Sequence, residues 1–323
     1  MPEAIILKEL GGPEVLQSTD MPTEPLQAQQ IRIRNDAIGV NFIDTYFREG
    51  LYGTELPAII GDQAVATVTA VGEEVEQFSE GDKIAYASLF GAYRAERCVD
   101  PRQVVKLPSN VPADGVAASL TRGLTAEYLL CRLHEVKAGE TIIVHAAAGG
   151  TGVIVSQWAK ALGATVIGTV GDEAKTEIAK SNGCKHVLLH QDPDFIAKVA
   201  DITDGKLADV VYDSIGKDTF QTSIQCVRPR GLMVAYGNAS GKPEPIEVLD
   251  LARLGSLFLT RPILSHYIAT RADFELATGR YFDALANGTV RLPEITRFAL
   301  SEAADAHRHL QDRARPSLPI LVP

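Results

Sequence analysis

The residues whose types and spacing most clearly suggest chemistry are Val144-His145-Ala146-Ala147-Ala148-Gly149-Gly150-Thr151-Gly152. They lie between an apolar run, Thr141 to Val144, and a helix-like segment ending at Leu162-Gly163. On the pattern G-x-G-x-x-G they give Ala147, Gly149 and Gly152, with the first glycine replaced by the next smallest residue. Small residues let a strand turn sharply into a helix and let the backbone close on a pyrophosphate. The phosphate charge then meets free N–H groups at the helix N-terminus. Glycine turns are common, so the meaning of this one depends on the elements around it.

Those elements alternate. Short apolar, β-branched runs occur at Thr141–Val144, Thr165–Val170, His186–Leu189, Asp209–Tyr212, Gly231–Tyr236 and Ser256–Thr260. Helical segments separate the first five. Ile154, Trp158 and Leu162 share a face at four-residue spacing, and Asp172–Ser181, Asp194–Ile202 and Asp218–Cys226 follow, with Gly183 placed to end the second helix. Strands with helical crossovers, apolar throughout, describe a doubly wound parallel sheet buried on both faces. The first 120 or so residues differ. Strand-like pieces at Ile31–Arg34, Val65–Val71, Lys83–Ala87 and Val104–Leu107 alternate with Gly- and Pro-rich turns, which predicts a β-rich domain. After Pro262 come two helical segments, Phe274–Asn287 and Ala303–Leu310, and a closing run Leu318–Val322. That last strand needs a sheet to join. The N-terminal domain is the simplest host, which makes the α/β unit an insertion.

In such a sheet the end of the second strand meets the adenosine ribose. An acidic residue there suits NAD, whereas a basic residue with open space suits the 2′-phosphate of NADP. Here the strand runs into Gly171, with Lys175 four residues on, so NADPH is the favoured ligand. Asp172 is the counter-argument, since it could bind an NAD ribose. As a helix N-cap it needs no cofactor at all.

At this point the chain resembles a known family. The run from His145 to Gly152 followed by Gln157-Trp158-Ala159-Lys160-Ala161-Leu162-Gly163-Ala164 is similar to the zinc-free, zeta-crystallin-like quinone oxidoreductases of the medium-chain dehydrogenase/reductase superfamily. Gly11–Leu16, Asn41–Tyr46, Gly123–Ala126, Val211–Ser214, Gly237–Gly241 and Thr260–Pro262 keep that family's order and approximate spacing. The resemblance implies an α/β fold in which a Rossmann sheet, residues 122–261, is inserted in a GroES-like catalytic domain made of residues 1–121 and 262–323. It implies a homodimer with an interdomain active-site cleft, and metal-free reduction of quinones or related electrophilic carbonyls by NADPH. Asn41, Tyr46 and Tyr52 would line the nicotinamide and substrate site, with Thr125 and Tyr128 near the cofactor. Gly149, Gly150, Thr151 and Gly152 match the pyrophosphate turn, and Gly171 and Lys175 the adenosine phosphate site. Ser214, Gly237, Asn238, Ser240, Ile263 and Arg313 match further cofactor positions.

Three positions depart from the family. His190 stands where a tyrosine often meets the adenosine phosphate, Gln63 replaces the carboxylate of the Gly61-Asp62 element, and Thr151 replaces a valine. Histidine can still stack and donate, with a charge that varies with pH.

Activated quinones need little acid–base help, so no residue is assigned as an indispensable general acid. Tyr46 and Tyr52 either steer the acceptor carbonyl or pack as walls, and Asn41 either orients the nicotinamide or bonds within its own loop.

Bulk properties narrow the alternatives. With Lys+Arg 31 against Asp+Glu 41 the net charge is −10, which argues against a nucleic-acid or anionic-membrane surface. No apolar run approaches the roughly 20 residues of a bilayer span, and Met1–Leu10 does not read as a signal peptide. Four scattered cysteines suggest reduced thiols in a cytoplasmic protein. His307-Arg308-His309 cannot form a zinc pair, because histidines two apart do not share a helix face. A surface position is expected for both. The rival functions are an enone or alkenal reductase of the same superfamily and a non-catalytic NADPH-regulated RNA- or protein-binding module.

Overall fold

Alternating apolar and polar residues along Ile31–Gly39 make a long strand with one face in a core, and the rest of the N-terminal region builds on it. The computed structural model describes residues 2–312 and 317–323. In chain order the first strands are β1 (Glu3–Leu7), β2 (Leu16–Asp20), β3 (Ile31–Gly39), β4 (Ala64–Val71), β5 (Lys83–Tyr86), β6 (Glu96–Val99) and β7 (Val105–Lys106). β1 and β2 form an antiparallel pair, and β3, β4, β5 and β7 follow one another in a larger sheet, with β6 beside β3. Ile5, Leu7, Ile31, Ile33, Ile60, Val68 and Ile84 are buried in one core. Helix α1 (Phe42–Glu49) leaves directly from the end of β3, and α2 (Ala113–Tyr128) follows β7. β1, β2 and β6 were not anticipated from the sequence. They are short, and β2 keeps mostly polar residues exposed, so periodicity does not mark it.

The second sheet is parallel throughout. It holds β8 (Thr141–Val144), β9 (Thr165–Val170), β10 (His186–Leu189), β11 (Ala208–Asp213), β12 (Val227–Ala235) and β13 (Phe258–Thr260), in the spatial order β10-β9-β8-β11-β12-β13. This is the doubly wound Rossmann order, and its crevice lies at the carboxyl ends of the strands where the order reverses, between β8 and β11. Ile143, Ile167, Val211 and Met233 are buried in its core. The crossovers include α3 (Gly150–Ala161), α4 (Thr176–Ser181), α5 (Phe195–Ile202) and α6 (Phe220–Ser223), and α7 (Val248–Arg253) leads into β13.

Three elements differ from expectation. The helix expected at Asp172–Ser181 is a 3₁₀ turn, Glu173–Lys175, followed by α4. The Asp218–Cys226 helix is similarly divided into α6 and a 3₁₀ turn. β12 begins at Val227 rather than Gly231, because its pairing with β11 shifts register between Val227 and Leu232. That irregularity accommodates Pro229 and the positive φ (59°) of Arg230.

The last strands, β14 (Ile295–Ala299) and β15 (Leu318–Val322), return to the first sheet. β15 pairs parallel with β14 and antiparallel with β3. Between them runs a helix, Ala303–Gln311, called α8 here. The chain thus forms two compact units, one of residues 1–124, 268–286 and 292–323, the other of residues 125–267 and 287–291.

His307 and His309 on α8 are both buried, contrary to the surface position expected of them. Each finds polar partners inside the first unit. His307 lies between Arg48 and Tyr93, while His309 bonds Ser317 and lies edge-on to Phe298. Opposite faces of one helix can both be buried when it is covered on two sides.

Candidate functional site

Two constellations in different units carry the candidate chemistry. In the second unit, β8 ends in a turn that only small residues can make. Ala146 takes a positive φ of 50°, and Gly149 N–H closes on Ala146 O at 2.8 Å. A Cβ on Gly152 would lie 2.2 Å from that same carbonyl oxygen, so the backbone itself requires glycine. Gly149 is the N-cap of α3, and Gly150, Thr151 and Gly152 form its first turn, whose N–H groups have no intrahelical acceptor. Thr151 is therefore placed by its backbone, which explains why its side-chain type can depart from the family.

Below this turn sits a closed polar network. The buried Asp213 carboxylate accepts from the N–H groups of Ile215 (2.8 Å) and Gly216 (3.1 Å) and from the hydroxyls of Thr219 and Ser223. Ser223 also meets His145 Nε2 at 2.8 Å, and His145 Nδ1 meets Thr169 at 2.9 Å. Every group is paired if His145 is neutral with its proton on Nε2. Burial agrees, since it holds the imidazole pKa below its ordinary value. Sequence alone gives these side chains no role. Their effect is to hold the strand ends on either side of the crevice.

Around the crevice, Asp172 caps the turn after β9 by accepting from Ala174 N–H at 2.9 Å. Gly171 is exposed, and a Cβ there would meet His190 Cε1 at 3.1 Å. His190 Nδ1 bonds Val170 O at 3.1 Å, a contact that requires a proton on Nδ1 and leaves Nε2 for another partner. Lys175 is half-buried. After β11 and β12, Ser214 and Gly237 are in close backbone contact, since a Cβ on Gly237 would lie 2.3 Å from Ser214 O. Ser240 ties these loops together, accepting from Asp218 N–H and donating to Ile215 O. Asn238 is half-buried nearby in sequence, and Ile263 is 50% exposed. Thr125 is half-buried on α2. Tyr128 is buried, stacked on Tyr267 at 4.4 Å, and burial raises its hydroxyl pKa. Arg313 lies outside the described residues.

The first unit holds the second constellation. Asn41 ends the loop after β3 and precedes α1, and its N–H donates to Asp44 Oδ2 at 2.7 Å. Its side-chain Nδ2 donates to Asp62 Oδ1 at 3.2 Å, and Thr121 on α2 donates to Asp62 Oδ2 at 3.3 Å. Arg122 reaches Val40 O at 2.9 Å. All of Asn41, Asp44, Asp62 and Arg122 are buried. Burial, and then the neighbouring Asp62 charge, pushes the Asp44 carboxyl well above the carboxylate range. Asp62 is pushed up by burial to about 6, against the pull of Asn41, Thr121 and Arg122.

Gln63 now has a physical account. Its Nε2 donates to Ala117 O at 2.6 Å and its Oε1 accepts from Thr121 N–H at 2.5 Å. A carboxylate could only accept, so the carboxamide is the group that fits both partners.

Tyr46 and Tyr52 meet edge-to-face at 5.3 Å. Tyr52 also meets Phe47 at 5.7 Å, and Phe47 meets Phe90 at 4.9 Å. Phe42 and Phe90 are among the exposed large apolar residues. The structure thus brings Asn41, Tyr46 and Tyr52 together on and after one short helix, beside an aromatic wall. It brings the turn residues, Gly171, Lys175 and His190 together at the sheet. Asp44, Asp62 and Arg122 were missed by sequence reasoning. Only the Gly61-Asp62-Gln63 element hinted at one of them.

Comparisons with known proteins bear on the chain as a whole. Residues 27–141 match the alcohol dehydrogenase GroES-like domain and residues 150–278 match the model described as zinc-binding dehydrogenase. A quinone oxidoreductase of Pseudomonas aeruginosa is 42% identical over the full length of both chains. A 2-haloacrylate reductase of a Burkholderia species is also 42% identical, covering 99% of this chain and 98% of its own. The crystal structure of Escherichia coli quinone oxidoreductase complexed with NADPH superposes with a TM-score of 0.95 at 39% identity, over 99% of this chain and all of that one. Zinc is implied by the name of one model, yet no three His, Cys, Asp or Glu side chains among the described residues are grouped to hold a metal ion. The donor set does not fit zinc.

Proposed function

The chain belongs to the quinone oxidoreductase family of the medium-chain dehydrogenase/reductase superfamily, and from that premise we propose that it is an NADPH-dependent, metal-independent quinone reductase. The observation that carries this reading is the likeness to quinone oxidoreductases along the whole chain, because a glycine turn alone would serve many nucleotide-binding sheets.

The cradle fits the dinucleotide. Where a Cβ on Gly152 would strike backbone, glycine lets the chain close, and the first N–H groups of α3 are left to hold a pyrophosphate. Gly171 leaves space at the strand end, with Lys175 available to a 2′-phosphate and the His190 ring beside the same glycine. Thr125, Tyr128, Ser214, Gly237, Asn238, Ser240, Ile263 and Arg313 are the wider cofactor contacts of this reading. When bound, NADPH supplies the hydride. Asn41, Tyr46 and Tyr52 position the ligands, and the aromatic wall suits a flat, apolar acceptor ring. Proximity and exclusion of water are the main contributions. The catalytic domain of this proposal is residues 1–121 and 262–323, and the dinucleotide domain residues 122–261.

The 42% identity to a 2-haloacrylate reductase favours a second reading, reduction of an activated alkene. An NADPH-oxidation assay with a panel of quinones and enones separates the two. Turnover of quinones is expected. Turnover of enones alone selects the second reading, and tight NADPH binding without any turnover selects a binding module.

The partner of the chain is a second copy of itself in this proposal. β13 is a sheet edge whose Phe258 is 64% exposed, and edge pairing would cover that ring and satisfy the unpaired backbone groups. Sedimentation that finds only monomer at micromolar concentration refutes it. Four cysteines, none joined in a disulfide among the described residues, support a reducing, cytoplasmic setting, and no described helix is long and apolar enough to cross a membrane. The net charge of −10 supports a small molecule rather than nucleic acid as ligand.

A further inference from the structure

We propose that Asp62 is a positioning residue that fixes the Asn41 carboxamide with its oxygen turned toward the ligand, so that Asn41 recognises a ligand that donates a hydrogen bond. The proposal rests on the reading of Asn41 as a ligand contact.

The two ends of an asparagine carboxamide are nearly identical in shape and opposite in chemistry. What decides the direction is the partner of one end. Asn41 Nδ2 donates to Asp62 Oδ1 at 3.2 Å, and an ionised carboxylate has no proton to offer the other end. Asp62 is itself held. Thr121 donates to its second oxygen at 3.3 Å, and the next residue, Gln63, is clamped to α2 at Ala117 and Thr121. Gly61, just before it, has φ +91° and lies where a Cβ would strike the Tyr93 ring at 2.2 Å. The Asn41 backbone is fixed as well, by its N–H to Asp44.

This leaves one polar atom. Asn41 Oδ1 is buried and finds no hydrogen-bond partner among the described residues. A buried carbonyl oxygen without a donor costs on the order of 1–3 kcal/mol. The chain nevertheless spends four hydrogen bonds, from Asn41 to Asp62, Thr121 to Asp62 and Gln63 to Ala117 and Thr121, on holding the frame around it. The missing donor is an N–H or O–H of a ligand. An oxidised quinone offers only acceptors. The carboxamide N–H of the nicotinamide and the hydroxyl of a reduced acceptor both qualify, and they share the chemistry that Asn41 would read.

The test is a double-mutant cycle on binding rather than turnover, in the full-length protein. NADPH and a hydroquinone are each titrated alone against wild type, Asn41→Ala, Asp62→Asn and the double variant. Thermal melting of each variant checks that it is folded. If Asp62 acts through Asn41, Asp62→Asn weakens one ligand about tenfold in the wild-type background. The same change costs less than about twofold once Asn41 is alanine. Loss in the NADPH arm names the nicotinamide as donor, and loss in the hydroquinone arm names the reduced acceptor. Additive losses overturn the positioning role while leaving Asn41 a ligand contact. No loss in either arm for Asn41→Ala overturns the proposal together with the role of Asn41, and failure of wild type to bind NADPH overturns the functional reading itself. Should Asp62→Asn not fold, Thr121→Val removes the other hold on Asp62 and takes its place in the cycle.

Discussion

Each unit buries an aspartate-centred network, and the two are built to different ends. Around Asp213 four donors converge, His145 has a partner on each nitrogen, and no acceptor is left over. Around Asn41, Asp44 and Asp62 the arrangement is open. Two carboxyls share one buried guanidinium neighbour, and both Asn41 Oδ1 and Asp44 Oδ1 lack partners among the described residues. A network that closes on itself is a fastening. One that keeps buried polar atoms unpaired, at a cost in stability, has a use for them.

The largest expected break is in the open network. Arg122→Met removes the cation that both carboxyls face and leaves the ionised Asp62 uncompensated, which should cost about 3–5 kcal/mol in denaturant unfolding at neutral pH. The sign with pH follows from Asp62. Its folded pKa, about 6, is raised above the ordinary carboxylate value, so its contribution to stability is lost as pH rises through about 6. The variant should therefore recover part of its deficit at pH 5. A pH-independent deficit would mean that Arg122 acts only through its hydrogen bonds to backbone.

Next in size is the closed network. Asp213→Asn keeps the shape but replaces one acceptor oxygen by a donor that faces donors. A loss of about 2 kcal/mol is expected, with the midpoint shifted and the denaturant slope unchanged. A larger cost than for Arg122→Met would reverse the ranking of the two networks.

This contrast also explains what could be read in advance. β8, β9 and β10 match the apolar runs residue for residue; β8 and β9 do so because strands buried on both faces carry their signal continuously, and β10, half-buried at the sheet edge, still keeps an apolar run from Val187 to Leu189. The turn at Ala147–Gly152 was legible because its constraint is local, a backbone oxygen meeting a would-be Cβ six residues away. β12 was read short because Pro229 looks like a terminator when the bulge that houses it is unseen. The open network was out of reach for a different reason. Asn41, Asp62, Tyr93, Arg122 and His307 meet only through the fold, and no spacing encodes that. Gln63 was visible as a departure, but its reason, a donor for Ala117 and an acceptor for Thr121, exists only in three dimensions.

His307 offers a smaller, sharper test of the same region. Arg48 donates to Nδ1, so Nε2 carries the proton and meets Tyr93 at 2.9 Å, and Tyr93 in turn donates to Asp44 at 3.0 Å. With both nitrogens engaged and the ring buried, a second proton has no place, and burial followed by the Arg48 charge holds the pKa down at about 3. Unfolded histidine binds that proton near pH 6.5. Stability from neutral His307 is thus present above about pH 6.5 and drains as pH falls toward about 3. Against His307→Gln, the wild-type advantage should shrink by about 1.4 kcal/mol for each pH unit below about 6. A constant difference from pH 7 to pH 5 would place a charged imidazole in the fold and contradict the Arg48 contact.

The smallest effect should come from the aromatic wall beside the open network. Tyr46 is half-buried and its ring is held edge-on by Tyr52 at 5.3 Å. Tyr46→Phe preserves that ring contact and deletes only the hydroxyl. If the wall acts by shape and the open acceptors do the polar reading, kcat/KM for a quinone should fall by less than about tenfold, near 1.4 kcal/mol at most. Equal falls in kcat and kcat/KM of several orders of magnitude would instead make the hydroxyl a partner of the transition state. The polar work would then lie on the exposed side of α1 rather than in the buried network beneath it.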